Sequence, residues 1–174
     1  MIATKDLVEE IFAREGRVYA EPPAIDQPTG PGGITLPTLQ AYQPGSTLED
    51  LKRLTVEGAT AVILWTLDQL AERHGLALIQ DDHVRLQMID FAYNSGPDLA
   101  IRWLQRVVQA PRTSRMDVTT TYATNSSDPW LLHHALIVAR LQMIDLATDR
   151  GTVSKRFEEG LENRVLRFSR LEIP

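Results

Sequence analysis

The chain has 174 residues, 43% hydrophobic and 24% charged, enough to bury a core of its own without covalent staples. Eighteen Lys and Arg stand against 23 Asp and Glu, a formal net charge of −5, so there is no basic footprint for nucleic acid or an anionic membrane surface. With no cysteine, thiolate zinc sites, iron–sulfur clusters and cysteine nucleophiles are excluded, and chemistry must come from carboxylates, histidines or hydroxyls.

The opening, MIATKDLVEEIFAREG, has acids where a signal peptide needs a basic cap and an apolar stretch. No run approaches the roughly 18 apolar residues of a membrane span. The expectation is a protein made in the cytoplasm without a Sec signal and not inserted in a membrane. Leu7, Val8, Ile11 and Phe12 repeat at helical spacing and predict a first helix over residues 4–14, with Thr4 as N-cap and Gly16 as its stop. Residues 16–45 then hold five of the ten glycines and six of the ten prolines. They predict a long irregular stretch, with at most a small β-hairpin in 17–35 and a short turn at 38–42. Loops of such length within a domain usually carry function.

Helical patterns return after Ser46. The spacing predicts helices over 47–54 and 55–74, the second stopped by Gly75, then a helical hairpin of 81–93 and 97–110 broken at Asn94-Ser95-Gly96. Residues 111–127 are polar and Thr-rich and are read as a second long connection. Asp128-Pro129 opens a helix to about Arg150, and Val153, Phe157, Leu161, Val165 and Phe168 mark the last one. The predicted fold class is mainly α. The hexapeptide RLQMID occurs at 85–90 and again at 140–145; the flanks do not match, so both copies are read only as helix segments.

Glu15 is the most suggestive residue for chemistry, a carboxylate at the last turn of an amphipathic helix where the irregular segment begins. Against apolar side chains such a group holds its proton, as a general acid for glycosidic cleavage must. In solvent it is an ordinary helix-end residue. Asp26, Thr29 and Thr35 follow within the Gly/Pro framework, where they either complete a two-group site or bond to their own backbone. Tyr93 and Asn94 are either a sugar-binding pair at a cleft or a core tyrosine and a helix-capping amide. Lys155, Arg156, Arg164, Arg167 and Arg170 on the last helix suit either an anionic polymer or a solvated face. The four histidines have no ligand spacing, and GxSxG, HExxH and GxxxxGK are absent. No metal and no cofactor is expected.

Four blocks occur in order: EGRVY at 15–19, PGGIT at 31–35, DFAYNSG at 90–96 and AIRWLQRVV at 100–108. Together they resemble glycoside hydrolase family 108, the phage and bacterial N-acetylmuramidases that carry a following predicted peptidoglycan-binding region. The closing KRFEEGLENRVLRF is similar to the family's last helix, with Leu161 where Trp is usual. The resemblance implies a lysozyme-like helical fold, a catalytic region over 1–110 and a wall-binding region over 111–174 packed on it. It makes Glu15 the general acid on the bond between N-acetylmuramic acid and N-acetylglucosamine. Asp26 or Thr29 is then the second catalytic group, and Thr35, Tyr93 and Asn94 bind substrate.

Arg17 replaces the family's second Gly, Tyr19 is displaced by one position, the Asp-Pro-Gly-Gly stretch is reduced to residues 26–29, and only Asp117 and a Thr survive of a later Gly-rich turn. An Arg17 side chain meeting Glu15 would oppose its protonation. The function implied is an endolysin-type muramidase, a monomer with peptidoglycan as its partner, reaching the wall through a holin or a secretion machine. A wall-binding or secretion-accessory protein on the same scaffold is the alternative.

Overall fold

The computed structural model describes residues 4–21, 27–152 and 155–170; Asp26 therefore lies outside the described residues, as do Val153 and Ser154. Among the described residues the chain folds into nine α-helices and three 3-10 segments, the mainly α class that the sequence predicts. The hairpin anticipated in 17–35 is only two isolated bridges, Ala20 with Thr29 and Thr29 with Thr35. Pro28 and Pro31 flank Thr29 and have no N–H to extend a ladder. No helix among the described residues is long and apolar enough to cross a membrane.

Contacts divide the chain inside its fourth helix, into residues 2–69 and residues 70–174. In the N-terminal unit, α1 (Thr4–Glu15) buries Leu7, Val8, Ile11 and Phe12, the stripe expected of positions i, i+1, i+4 and i+5. Gly16, at φ +88°, closes it, its N–H donating to the Phe12 carbonyl at 2.9 Å. α2 (Leu36–Tyr42) is capped by Thr35 and buries Leu39. α3 (Leu48–Lys52) opens on a capping box in which Thr47 and Asp50 bond reciprocally. α4 (Val56–Arg73) buries Ala59, Val62, Ile63 and Leu67, and Trp65 meets the edge of Tyr42 with ring centroids 5.6 Å apart.

A 3-10 turn at Pro31–Gly33 seats this unit's loop on its core. Gly32 has φ +71°, and a Cβ there would lie 2.6 Å from Ile63 Cδ1 and 3.2 Å from Phe12 Cε1. The backbone conformation and the close approach both require glycine. Gly32→Ala is expected to cost about 2–4 kcal/mol from strain and overpacking together, read as a lowered urea midpoint. A change under about 0.5 kcal/mol would mean that the turn is not fixed as described.

In the C-terminal unit, α5 (Asp82–Ser95) is capped by Asp81, whose side chain accepts from the Val84 N–H at 2.9 Å. Gly96, at φ +82°, ends it and leads into α6 (Pro97–Val107), which packs back on α5. The stretch read as a connection contains a helix, α7 (Val118–Ser126). Its Thr-rich sequence has poor intrinsic propensity, but Asp117 caps it and Thr120 and Thr124 are buried. α8 (Pro129–Asp149), capped by Asp128, packs on α5, α6 and α9 (Lys155–Leu166). Within this unit the helices after residue 110 thus share a core with α5 and α6.

Both RLQMID copies are helical, as expected, but they bury different faces. The first hides Gln87, Met88, Ile89 and Asp90; the second hides Arg140 and Ile144 and leaves Gln142 and Asp145 exposed. The two meet, the Arg140 guanidinium of one donating to the Asp90 carboxylate of the other at 2.6 Å.

His133 on α8 is fully buried, and its Nε2 bonds the Phe168 carbonyl at 2.9 Å. That partner is an acceptor, so Nε2 carries the proton. Burial lowers the imidazole below its usual 6.5, the neighbouring His134 and His83 adding to the effect and the Phe168 bond opposing it. The unfolded chain therefore binds the proton first. Stability from the neutral ring is fully present above pH 6.5 and is lost as pH falls from there through the lower folded-state value. Urea midpoints should fall between pH 7.5 and pH 5, and His133→Gln should reduce that fall; an identical fall in the variant would place its source elsewhere.

Candidate active site

Glu15 ends α1, and the loop returns to it. The Gly32 N–H donates to the Gly16 carbonyl at 2.8 Å and the Gly30 N–H to the Ile34 carbonyl at 2.8 Å, so the glycine turn lies against the helix end. At Gly33, also at φ +71°, a Cβ would meet Glu15 Cγ at 3.1 Å and Glu15 Cβ and Oε2 at 3.2 Å. The bare glycine lets the carboxylate lie along the backbone. Oε1 accepts from Arg14 Nε at 3.0 Å, which leaves Oε2 on the side of the turn. Glu15 is nevertheless well hydrated, its side chain 42% exposed, rather than walled by apolar groups.

Arg17 does not meet Glu15. Its guanidinium donates to Glu9 at 2.5 Å and lies over the Phe12 ring, 4.9 Å from the centroid. The arginine beside the carboxylate is Arg14. Thr29, half-buried, pairs its backbone with Ala20 in both directions, at 2.8 and 3.1 Å. Thr35 caps α2, its hydroxyl accepting from the Thr38 N–H at 3.4 Å and lying 3.0 Å from the Thr38 hydroxyl. The N-terminal unit thus assembles Glu15, Gly33, Thr29 and Thr35 around one loop.

Tyr93 and Asn94 belong to the C-terminal unit, both half-buried near the end of α5. Asn94 Nδ2 donates to the Asp90 carbonyl at 2.6 Å and to Asp90 Oδ1 at 2.9 Å, while its Oδ1 accepts from Arg164 at 2.5 Å. Asp90, 4% exposed, also accepts from Arg140 at 2.6 Å and from Arg167 at 3.0 Å. Two cations against one carboxylate satisfy a charge that would otherwise be untenable in the interior. Burial pushes the Arg167 guanidinium down to about 10, which still leaves it charged at neutral pH. The sequence signals for this network are an Asp and an Asn four residues apart on α5 and two arginines three apart, Arg164 on α9 and Arg167 at the start of the 3-10 segment Arg167–Arg170 that follows it. Arg164 and Arg167 form neither a polymer-binding nor a solvated face, and they turn inward to Asn94 and Asp90.

For a metal, Asp145, Glu158 and Glu162 bring carboxylate oxygens within 4.8 Å of one another on α8 and α9. Asp145 is exposed and the other two half-buried, an arrangement that solvent and counter-ions can stabilise unaided.

Fold and site together define a mainly α protein in which a glycine turn is laid against a carboxylate at a helix end. The fold is similar to that of Brucella abortus SagA, at 25% sequence identity and a TM-score of 0.65, over 97% of this chain and 96% of that chain. No protein-family model matches the sequence, and no curated protein matches it.

Proposed function

We propose that the protein is a peptidoglycan hydrolase of the N-acetylmuramidase type, cleaving the β-1,4 bond between N-acetylmuramic acid and N-acetylglucosamine. The observation that carries this reading is the convergence of two separate sequence blocks on one oriented carboxylate: EGRVY supplies Glu15, and PGGIT supplies the bare Gly33 on which its Oε2 rests. The same two blocks underlie the resemblance to glycoside hydrolase family 108. In this reading Glu15 protonates the leaving oxygen, and Asp26 or a water held by Thr29 meets the oxocarbenium-like centre. The exposure of Glu15 suits a polymeric substrate that covers the site only when bound. The protein reaches the wall through a holin pore or a secretion machine.

The hydration of Glu15 and its contact with Arg14 favour a second reading, a wall-binding or secretion-accessory protein with little turnover. Reducing-end release from purified Gram-negative peptidoglycan, with products identified by mass spectrometry after borohydride reduction, separates the two. Muramitol-ended fragments support the hydrolase. No release, with sacculus pull-down intact, leaves the binding protein.

A further inference from the structure

His133 belongs to a buried cluster inside the C-terminal unit. It lies on α8 edge-on to His83 of α5, with ring centroids 6.4 Å apart, and to the Phe168 ring of the 3-10 segment Arg167–Arg170, at 6.3 Å. His133 and Phe168 are fully buried and His83 is 9% exposed. His133 Nε2 donates to the Phe168 carbonyl at 2.9 Å, whereas Nδ1 of both imidazoles is buried with no hydrogen-bond partner among the described residues. A neutral ring leaves one acceptor nitrogen unpaired there. An imidazolium has an N–H on each nitrogen, and a buried cation with an unpaired donor is far more costly.

The surrounding charges leave little to balance a proton on the pair. From α5, the Asp81 carboxylate attracts one to His133 but is already engaged by the Val84 N–H, and Asp82 pairs with Arg85. On α8, His134, its ring 5.5 Å from His133, opposes protonation, as does His83, while Asp128 caps its own helix. Arg140 of α8 and Arg167 of the 3-10 segment lie over the Phe168 ring, 5.3 and 5.2 Å from its centroid, and both are spent on Asp90. The buried residues of α6 are Ala100, Ile101, Leu104 and Gln105, none of which titrates. On α9, Val165 is buried and Arg164 is held by Asn94. A proton on the histidine pair therefore adds positive charge to an interior whose one buried carboxylate among the described residues already faces two guanidiniums.

We propose that the His83–His133 pair is an acid-operated clasp on the segment Arg167–Arg170, which opens when the pair is protonated while α5, α6 and α8 stay folded. Acid favours whatever state lets water reach the rings, because an imidazole is charged below about pH 6.5 once hydrated. Of the elements that enclose His133, α8 is a helix of 21 residues and α5 one of 14, whereas the segment that carries Phe168 has four. A 3-10 turn of that length has weak hydrogen-bond geometry, and few-contact elements open at the lowest free energy. It is held by the Phe168 ring and carbonyl and by the Arg167 bond to Asp90, and the first two of these meet the ring that gains the charge. Opening hydrates His133 and uncovers the Phe168 ring and its seat, so the unit presents apolar surface in acid that it hides at neutral pH.

The test is hydrogen exchange of the full chain at about pH 7.5 and about pH 5, read by mass spectrometry and corrected for the intrinsic exchange rate at each pH. Amides in 164–170 should lose at least about tenfold in protection on acidification, and those in 82–107 less than about twofold. His133→Gln keeps an amide donor for the Phe168 carbonyl and cannot titrate, so it should abolish the acid loss in 164–170. His83→Gln, at the less enclosed of the two positions, should shrink that loss and serves in its place if the His133 variant does not fold. Equal protection of 164–170 at the two pH values overturns the proposal. So does an acid loss spread evenly over the C-terminal unit, or one of the same size in the folded histidine variants.

Discussion

Under the proposed muramidase function, replacing Glu15 by Gln is expected to reduce turnover by about a hundred- to ten-thousand-fold, the range that a positioned general acid contributes. Glutamine preserves the shape that rests on Gly33 and can still accept from Arg14, but it has no proton to give to the leaving oxygen. Glu15 is solvated, so stability should move by no more than about 0.5 kcal/mol, and lost turnover cannot then be ascribed to unfolding. Thr29→Ala and Asp26→Asn, assayed beside it, rank the two candidates for the second catalytic group. Unaltered release of muramitol-ended fragments by the Glu15 variant would remove Glu15 from the mechanism and with it the hydrolase reading built on it.

The largest effect on stability should come from Asp90→Ala. Arg140 is 3% exposed and Asp90 4%, so deleting the carboxylate leaves a buried guanidinium without its counter-charge and uncouples Arg167 as well. The cost of breaking such a pair from one side is about 3–5 kcal/mol, which for a chain of this size lowers the thermal midpoint by roughly 6–20 °C. Adding Arg140→Met should recover part of the loss, because removing both buried partners is far less costly than removing one. A single-variant effect below about 1 kcal/mol, the ordinary value of an exposed pair, would show that the pair is hydrated. So would the absence of any recovery in the double variant.

Where local chemistry decides the structure, the sequence was readable. Asp81, Thr47 and the Asp128-Pro129 pair cap the helices they were expected to begin, and Gly16, Gly75 and Gly96 end theirs at positive φ. The position of Glu15 at a helix end beside a glycine turn was legible for the same reason. What failed to show was whatever depends on partners far along the chain. α7 has the composition of a loop and becomes a helix because Thr120 reaches Gln105, fifteen residues earlier, at 2.9 Å. Thr35, expected at substrate, spends its hydroxyl on the cap of α2, and the Asn94 amide is engaged by Asp90 and Arg164. Identical RLQMID segments turn different faces inward, with only the fifth-position Ile89 and Ile144 buried in both, because their flanks, rather than their own six residues, set the side that meets a neighbour. No periodicity within one helix can disclose that choice.

The Asp90 network also sets an order of events during synthesis. Arg140 follows Asp90 by 50 residues and Arg167 follows it by 77. At about 5–20 residues per second, the second arginine emerges roughly 4–15 s after the carboxylate it neutralises. Throughout that interval α5 can form and pair with α6, yet its buried-to-be aspartate must remain hydrated at the ribosome. The C-terminal unit therefore closes late, with the last helix as its latch, and a nascent chain stalled short of Arg164 would leave the side of α8 that this helix covers open to chaperones and proteases.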